Sequence, residues 1–250
     1  ASSTSPRFLS SSRKTRVRCA TAKMLAPLLS LLLCSFATAA RSRDDNFEAI
    51  TCGSLLTLVH SSTSYMLHSH PIAWGSGSGQ QSITTSGSDR DQDNLWLVRE
   101  ASGKEACRVG EPIPCGGTVR LQHMKTGKNL HSHNYRAPLS GNQEVTGFGD
   151  ETGEGDDGDD WRVLCGSNKS GYWRRSKDVR LKHDLTGRYL TSSASVAFND
   201  QNCRNCPIVG QMEVSAASAS SAGTNTNHMW YADQGVFFPP HEDAAVNDEL

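Results

Sequence analysis

Seven of the nine histidines in this 250-residue chain fall at matching places in a repeated pattern. The string Leu-His-Ser-His occurs at Leu67, His68, Ser69, His70 and again at Leu130, His131, Ser132, His133. Another histidine stands eight residues before the first histidine of each string, at His60 and His123, and His183 leads to Thr191 in the same way in a third, more diverged copy. Residues i and i+2 of a strand share a face, roughly 6.6 Å apart along it, so each His-x-His pair could offer two nitrogens to zinc. Zinc also needs further ligands at about 2.0–2.3 Å, and no neighbour in the sequence supplies them, so no metal or cofactor is expected. His68, His70, His131 and His133 are instead read as polar groups on the outer face of their strands, either as plain structural repetition or as the candidate surface for a polypeptide or glycan partner.

Residues 150–160 carry seven carboxylates: Asp150, Glu151, Glu154, Asp156, Asp157, Asp159 and Asp160. Their spacing does not follow a calcium-binding EF-hand loop. Glycoside hydrolysis would need two placed carboxyls across a cleft, which a glycine-interleaved run does not provide. A solvated acidic loop is expected, with weak calcium binding or contact with a basic partner as the alternatives. The Gly/Ser run at 75–79 lacks the Gly-Lys-Ser/Thr and the following helix of a phosphate loop, and no G-x-S-x-G nucleophile elbow is present. No catalytic residue is expected, and an enzyme is not.

The histidines sit on a threefold internal repeat, which must be found before a fold is considered. Each copy closes on a tryptophan, Trp96, Trp161 and Trp230, giving units of about 50–100, 113–165 and 173–238. The opening strands alternate with period two: Leu56, Leu58, His60; Val119, Leu121, His123; Val179, Leu181, His183. That is the mark of a half-buried strand, and it predicts that His60, His123 and His183 are buried and hydrogen-bonded. Thr126-Gly127 and Thr186-Gly187 supply hairpin turns, after which Leu67, Leu130 and Leu190 point inward. No window shows helical periodicity. An all-β chain of three similar units leaves sheet edges exposed unless it closes, and a β-trefoil closes it with pseudo-threefold symmetry.

The cysteines follow the repeat. Cys52 and Cys115 each lie eight residues before the strand histidine, and Cys107 and Cys165 each follow the closing tryptophan. Repeat symmetry therefore pairs Cys52 with Cys107 and Cys115 with Cys165, among 15 possible pairings of six cysteines. Loops of that length give about 4 kcal/mol each in the chain-entropy model. Cys203 and Cys206 form a C-x-x-C with no helix behind it to stabilise a thiolate, so a local disulfide or spare thiols is expected there.

Translation is expected to begin at Met24, leaving 1–23 as an upstream extension, with a bipartite targeting peptide as the alternative. Residues 24–40 read as a signal peptide, an apolar run closing on small residues and too short to span a bilayer. The last four residues, Asn247, Asp248, Glu249 and Leu250, resemble an endoplasmic-reticulum retention tail, carried on a tether that starts near 239. Together these predict the endoplasmic reticulum lumen and no membrane span. Residues 41–250 hold 19 basic and 26 acidic side chains, a net charge of −7 once the six basic residues of 1–40 are taken from the total of 25. That sign excludes nucleic acid as the expected partner. Asn168 begins an N-x-S glycosylation sequon.

Ile50-Thr51-Cys52-Gly53-Ser54, the two Leu-His-Ser-His strings, the stretch from Trp74 to Ser82, Pro138 to Val145 and Asp159 to Cys165 resemble the stromal cell-derived factor 2 family. The likeness runs from about 48 to 238 and is looser in the third unit. It implies three MIR repeats folded as a β-trefoil. It also implies a non-enzymatic luminal protein that works with a J-domain co-chaperone and an Hsp70-type chaperone on unfolded client proteins. Because MIR repeats also resemble modules of protein O-mannosyltransferases, a glycan-binding trefoil is the second reading. The chain departs from the family in its Asn-Asp-Glu-Leu ending, the Cys203/Cys206 pair and a Ser/Ala-rich insertion at 215–223.

Overall fold

The alternating strands assemble into twelve β-strands, four per repeat, in a computed structural model that describes residues 48–150, 152–166, 171–218 and 226–241. The first repeat holds β1 (Leu55–His60), β2 (Met66–Ala73), β3 (Gln81–Ser86) and β4 (Leu95–Glu100). The second holds β5 (Thr118–His123), β6 (Asn129–Arg136), β7 (Gln143–Phe148) and β8 (Trp161–Cys165). The third holds β9 (Val179–His183), β10 (Tyr189–Ala197), β11 (Met212–Ala217) and β12 (Trp230–Val236). A single 3-10 turn precedes the last strand of each repeat: Gln92–Asn94, Asp157–Asp159 and Thr226–His228. Among the described residues no helix is long and apolar enough to cross a membrane.

The first and last strands of the repeats pair in one closed cycle, β1–β4–β5–β8–β9–β12 and back to β1, all antiparallel. The middle strands form hairpins β2–β3, β6–β7 and β10–β11, whose inner strands β3, β7 and β11 all pair with one another. A six-stranded barrel capped by a triangle of three hairpins is the β-trefoil arrangement, and it leaves no barrel strand with an unpaired edge. Leu56, Leu58, Leu121, Leu181, Leu67, Leu130 and Leu190 are all completely buried, in one core with Trp96, Trp161 and Trp230. A smaller cluster of Trp74, Phe198 and Ile208 joins the first and third hairpin loops.

Each hairpin has a register irregularity at the same place, after Ser69, Ser132 and Ser192. A bulge there bends the strand and re-aims the next side chain, which is His70, His133 or Ser193. The structure joins Cys52 to Cys107, Cys115 to Cys165 and Cys203 to Cys206, with Cα–Cα separations of 6.1, 5.5 and 5.5 Å.

Candidate binding grooves of the hairpin cap

The strand histidines and closing tryptophans form a belt around the barrel. In each copy the histidine Nδ1 meets the hydroxyl of the threonine three residues on: His60–Thr63 at 2.8 Å, His123–Thr126 at 2.9 Å and His183–Thr186 at 2.8 Å. Nε2 reaches a backbone carbonyl of the neighbouring repeat's 3-10 turn, those of Asn227, Asp93 and Gly158, at 3.0, 3.0 and 2.9 Å. A carbonyl can only accept, so Nε2 donates and Nδ1 accepts the threonine proton, fixing one neutral tautomer three times. Burial lowers the pKa of all three, that of His123 to about 4. Trp96, Trp161 and Trp230 donate Nε1–H to the carbonyls of Leu67, Leu130 and Leu190. The expectation of buried, hydrogen-bonded histidines at these three positions agrees with this geometry.

The other four histidines do not lie where the sequence reading put them. His68 and His131 are only 2% and 4% exposed, not outward-facing, and His70 and His133 are half-buried. The 3-10 turn before each closing tryptophan covers the face that the alternation left open. The residue two before the tryptophan is Asn94 in the first repeat and Asp159 in the second. His68 Nδ1 lies 2.8 Å from Asn94 Oδ1, and His131 Nδ1 lies 2.9 Å from Asp159 Oδ1. The third repeat has Thr191 here, donating to the Asn227 carbonyl at 2.9 Å.

The acidic run is likewise built rather than merely solvated. Asp156 and Asp159 form a reciprocal capping box on the Asp157–Asp159 turn, so two of the turn's backbone N–H groups find acceptors. Asp159 is completely buried and also accepts from Asn129 Nδ2 at 3.0 Å. Asp156 and Asp157 stay exposed.

These elements leave related grooves between hairpin and turn in the second and third repeats. The second-repeat groove has a volume of about 630 Å³, with Gln80, His133, Phe148, Asp156, Asp157 and Leu185 among its lining. His131 stacks against Phe148 with ring centroids 4.6 Å apart, and His133 against Tyr135 at 4.8 Å. Beneath, the fully buried Glu144 takes His133 Nε2 at 2.7 Å and the Ser78 backbone N–H at 3.3 Å on the same oxygen. The third-repeat groove is smaller, about 190 Å³, and lined largely by serines. Its buried Glu213 holds the Leu139 and Ser140 backbone N–H groups and the Ser140 hydroxyl, and burial raises its pKa. The first repeat has Ser82 where the others have Glu144 and Glu213.

Sequence reasoning missed Phe148 and Leu185 in the groove lining, and Asn94, Glu144 and Tyr135 as the groups that hold His68 and His133. The fixed offset of Asn94 and Asp159 from Trp96 and Trp161 was a usable signal. Leu185 comes from another repeat and left none. Asn168, the 24–40 segment, Glu151 and the Asn247, Asp248, Glu249, Leu250 tail lie outside the described residues.

A threefold barrel whose belt is uniform and whose cap grooves differ defines a trefoil module with open grooves on its hairpin cap. The chain belongs to the stromal cell-derived factor 2 family. It is 45% identical to human Stromal cell-derived factor 2 over 195 residues, 77% of this chain and 84% of that one. The crystal structure of the SDF2-like protein from Arabidopsis thaliana matches with a TM-score of 0.68 at 36% identity, covering 78% of this chain and 99% of that one. A chain of the S. cerevisiae protein O-mannosyltransferase Pmt1-Pmt2 complex, solved with the sugar donor bound, matches with a TM-score of 0.62 at 25% identity, over 82% of this chain and 30% of that one. No family model matches the chain. The stromal cell-derived factor 2 relatives carry no enzyme name.

Proposed function

We propose that the protein is a non-enzymatic binding module of the endoplasmic reticulum lumen. In this reading it works with a J-domain co-chaperone and an Hsp70-type chaperone and meets them or their unfolded clients at the hairpin cap. The observation that carries the reading is the second-repeat groove. The fold does not need its exposed groups for the core, yet Leu185 in its lining is 66% exposed, Tyr135, which stacks on the lining residue His133, is 53% exposed, and Asp156 and Asp157 add carboxylates to the lining. Exposed aromatic and aliphatic anchors beside charge are what protein recognition uses. The signal-like segment at 24–40 and the retention-like Asn247, Asp248, Glu249, Leu250 support the luminal placement.

The test is affinity capture from luminal extract with the intact protein and with a Tyr135→Ala/Leu185→Ser variant. Co-chaperone and clients are expected with the first and are expected to be depleted with the second. Equal capture by both removes this groove, and capture of neither partner class by the intact protein removes the reading. A glycan-binding trefoil is the second reading, supported by the likeness to the sugar-donor-bound mannosyltransferase chain. Specific glycan-array signals without chaperone association would favour it.

A further inference from the structure

The first and second repeats carry the same His-x-His string, but the groups around it differ in a way that bears on ligation. In the second repeat both histidines have carboxylate partners: His131 on Asp159 and His133 on Glu144. In the first repeat Asn94 replaces Asp159 and Ser82 replaces Glu144. Asn94 Nδ2 donates to the Ser88 carbonyl at 2.6 Å, which turns its Oδ1 toward His68 Nδ1 at 2.8 Å. An amide oxygen can only accept, so His68 carries its proton on Nδ1 and its lone pair on Nε2. That is the second-layer hydrogen bond that orients a metal-bound imidazole.

His70, with Ser82 in place of a glutamate, has both ring nitrogens shielded from solvent and neither has a hydrogen-bond partner. Its ring stands edge-on to His68 with centroids 5.1 Å apart, and burial lowers its pKa, with Asp93 and Asp91 acting against that shift. The turn before Trp96 brings two carboxylates to the same place. A ring nitrogen of His68 and one oxygen each from Asp91 and Asp93 all lie within 4.8 Å of one another. In the second repeat the position of Asp93 is Gly158, where a Cβ would stand 2.3 Å from His131 Cε1. That groove has a glycine where the first has Asp93, and its own cluster of His131, Asp156 and Asp159 draws on Asp159, which already accepts from Asn129 and is bonded to His131 Nδ1.

We propose that His68, Asp91 and Asp93 form a binding site for a divalent transition metal of the zinc class, completed by His70, which stands outside that three-residue cluster and must turn its ring toward it to become the fourth ligand. Two imidazoles and two carboxylates suit a borderline cation in tetrahedral coordination and not calcium or magnesium, which take oxygen ligands in larger number or octahedral array. Asp91 also accepts the Asp93 backbone N–H at 3.0 Å, and Asp93 pairs with Lys125 at 2.8 Å. Lys125 is 57% exposed and must share Asp93 with the metal or swing away.

The probe is zinc chloride titrated into the intact, chelator-stripped protein by calorimetry, with cobalt(II) as a spectroscopic substitute. One site is expected, with the intense visible bands of tetrahedral cobalt. His70→Ser, which installs the third-repeat residue, and Asp91→Asn are each expected to weaken it by at least about ten-fold. Lys125→Ala is expected to tighten it, and His133→Ala in the second groove to leave it unchanged. Affinity that is the same in wild type and His70→Ser, or that falls equally with His133→Ala, overturns the assignment. His70 is not part of the core, so a loss in that variant with an unchanged melting temperature reports ligation, not unfolding.

Discussion

The barrel belt and the cap grooves sit within a few residues of one another and obey opposite rules. In the belt, His60, His123 and His183 make the same two hydrogen bonds in every repeat. In the grooves, three equivalent positions hold His70, His133 and Ser193, and three more hold Ser82, Glu144 and Glu213. Where a side chain closes contacts between repeats, a change in one copy strains its neighbour as well. Where it faces the cap surface, each copy can be altered alone. The uniform part of this molecule is therefore the scaffold, and the places where symmetry breaks are where binding is to be sought.

Breaking the belt should have the largest effect. Trp161→Ala removes a completely buried indole that bonds the Leu130 carbonyl at 2.8 Å and is expected to cost about 3–5 kcal/mol, measured by denaturant unfolding. A loss under 1 kcal/mol would mean that the belt is not what holds the repeats together.

Acid should strain the belt more gently. The folded-state pKa of His123 is about 4, below the value near 6.5 of an unfolded histidine. Between those values the unfolded chain binds more protons, so stability is complete above about pH 6.5 and falls as the pH drops toward 4. His123 alone should remove about 2 kcal/mol by pH 5, with His60 and His183 acting in the same direction. A melting temperature that is flat from pH 7 to pH 5 would contradict this.

Glu144→Ser copies the first-repeat residue into the second groove. It leaves His133 Nε2 and the Ser78 N–H without their acceptor, and about 1–3 kcal/mol should be lost. Restoration of wild-type stability in a His133→Ser/Glu144→Ser double variant would show that the histidine was the group left unsatisfied. The smallest effect is expected for Tyr135→Ala, within about 0.5 kcal/mol by the same unfolding assay. A larger loss would move Tyr135 from the binding surface to the scaffold.

Much of the scaffold was legible in the sequence because period-two alternation and a fixed offset to tryptophan survive in all three copies. Leu56, Leu121 and Leu181, the strand histidines and the hairpin turns at Gly127 and Gly187 stand where the pattern places them. The grooves were less legible. Alternation says which face of a strand is buried against its own sheet, but not that a 3-10 turn some 25 residues later will cover the other face, as Asn94 covers His68. Nor does it register the change of strand register after Ser69 and Ser132. Arg120 illustrates the same gap. It alternates outward from Val119 and Leu121, yet is 4% exposed because it reaches the Gly153 carbonyl and the Glu100 side chain.

The closing of the barrel by β12 against β1, with Leu55 opposite Val236 and His60 opposite Trp230, also sets a clock. The strand made first has its last neighbour made about 170 residues later, and contacts so distant in sequence are slow to form. During synthesis β1 must wait with one edge bare, in the state most prone to pair with the wrong chain. The threonine after Ile50 then receives the final fastening, as Thr51 Oγ1 donates to the Phe238 carbonyl at 2.8 Å. The barrel can therefore be completed only when nearly the whole trefoil has been delivered, and any truncation before Trp230 should yield a chain without a closed fold.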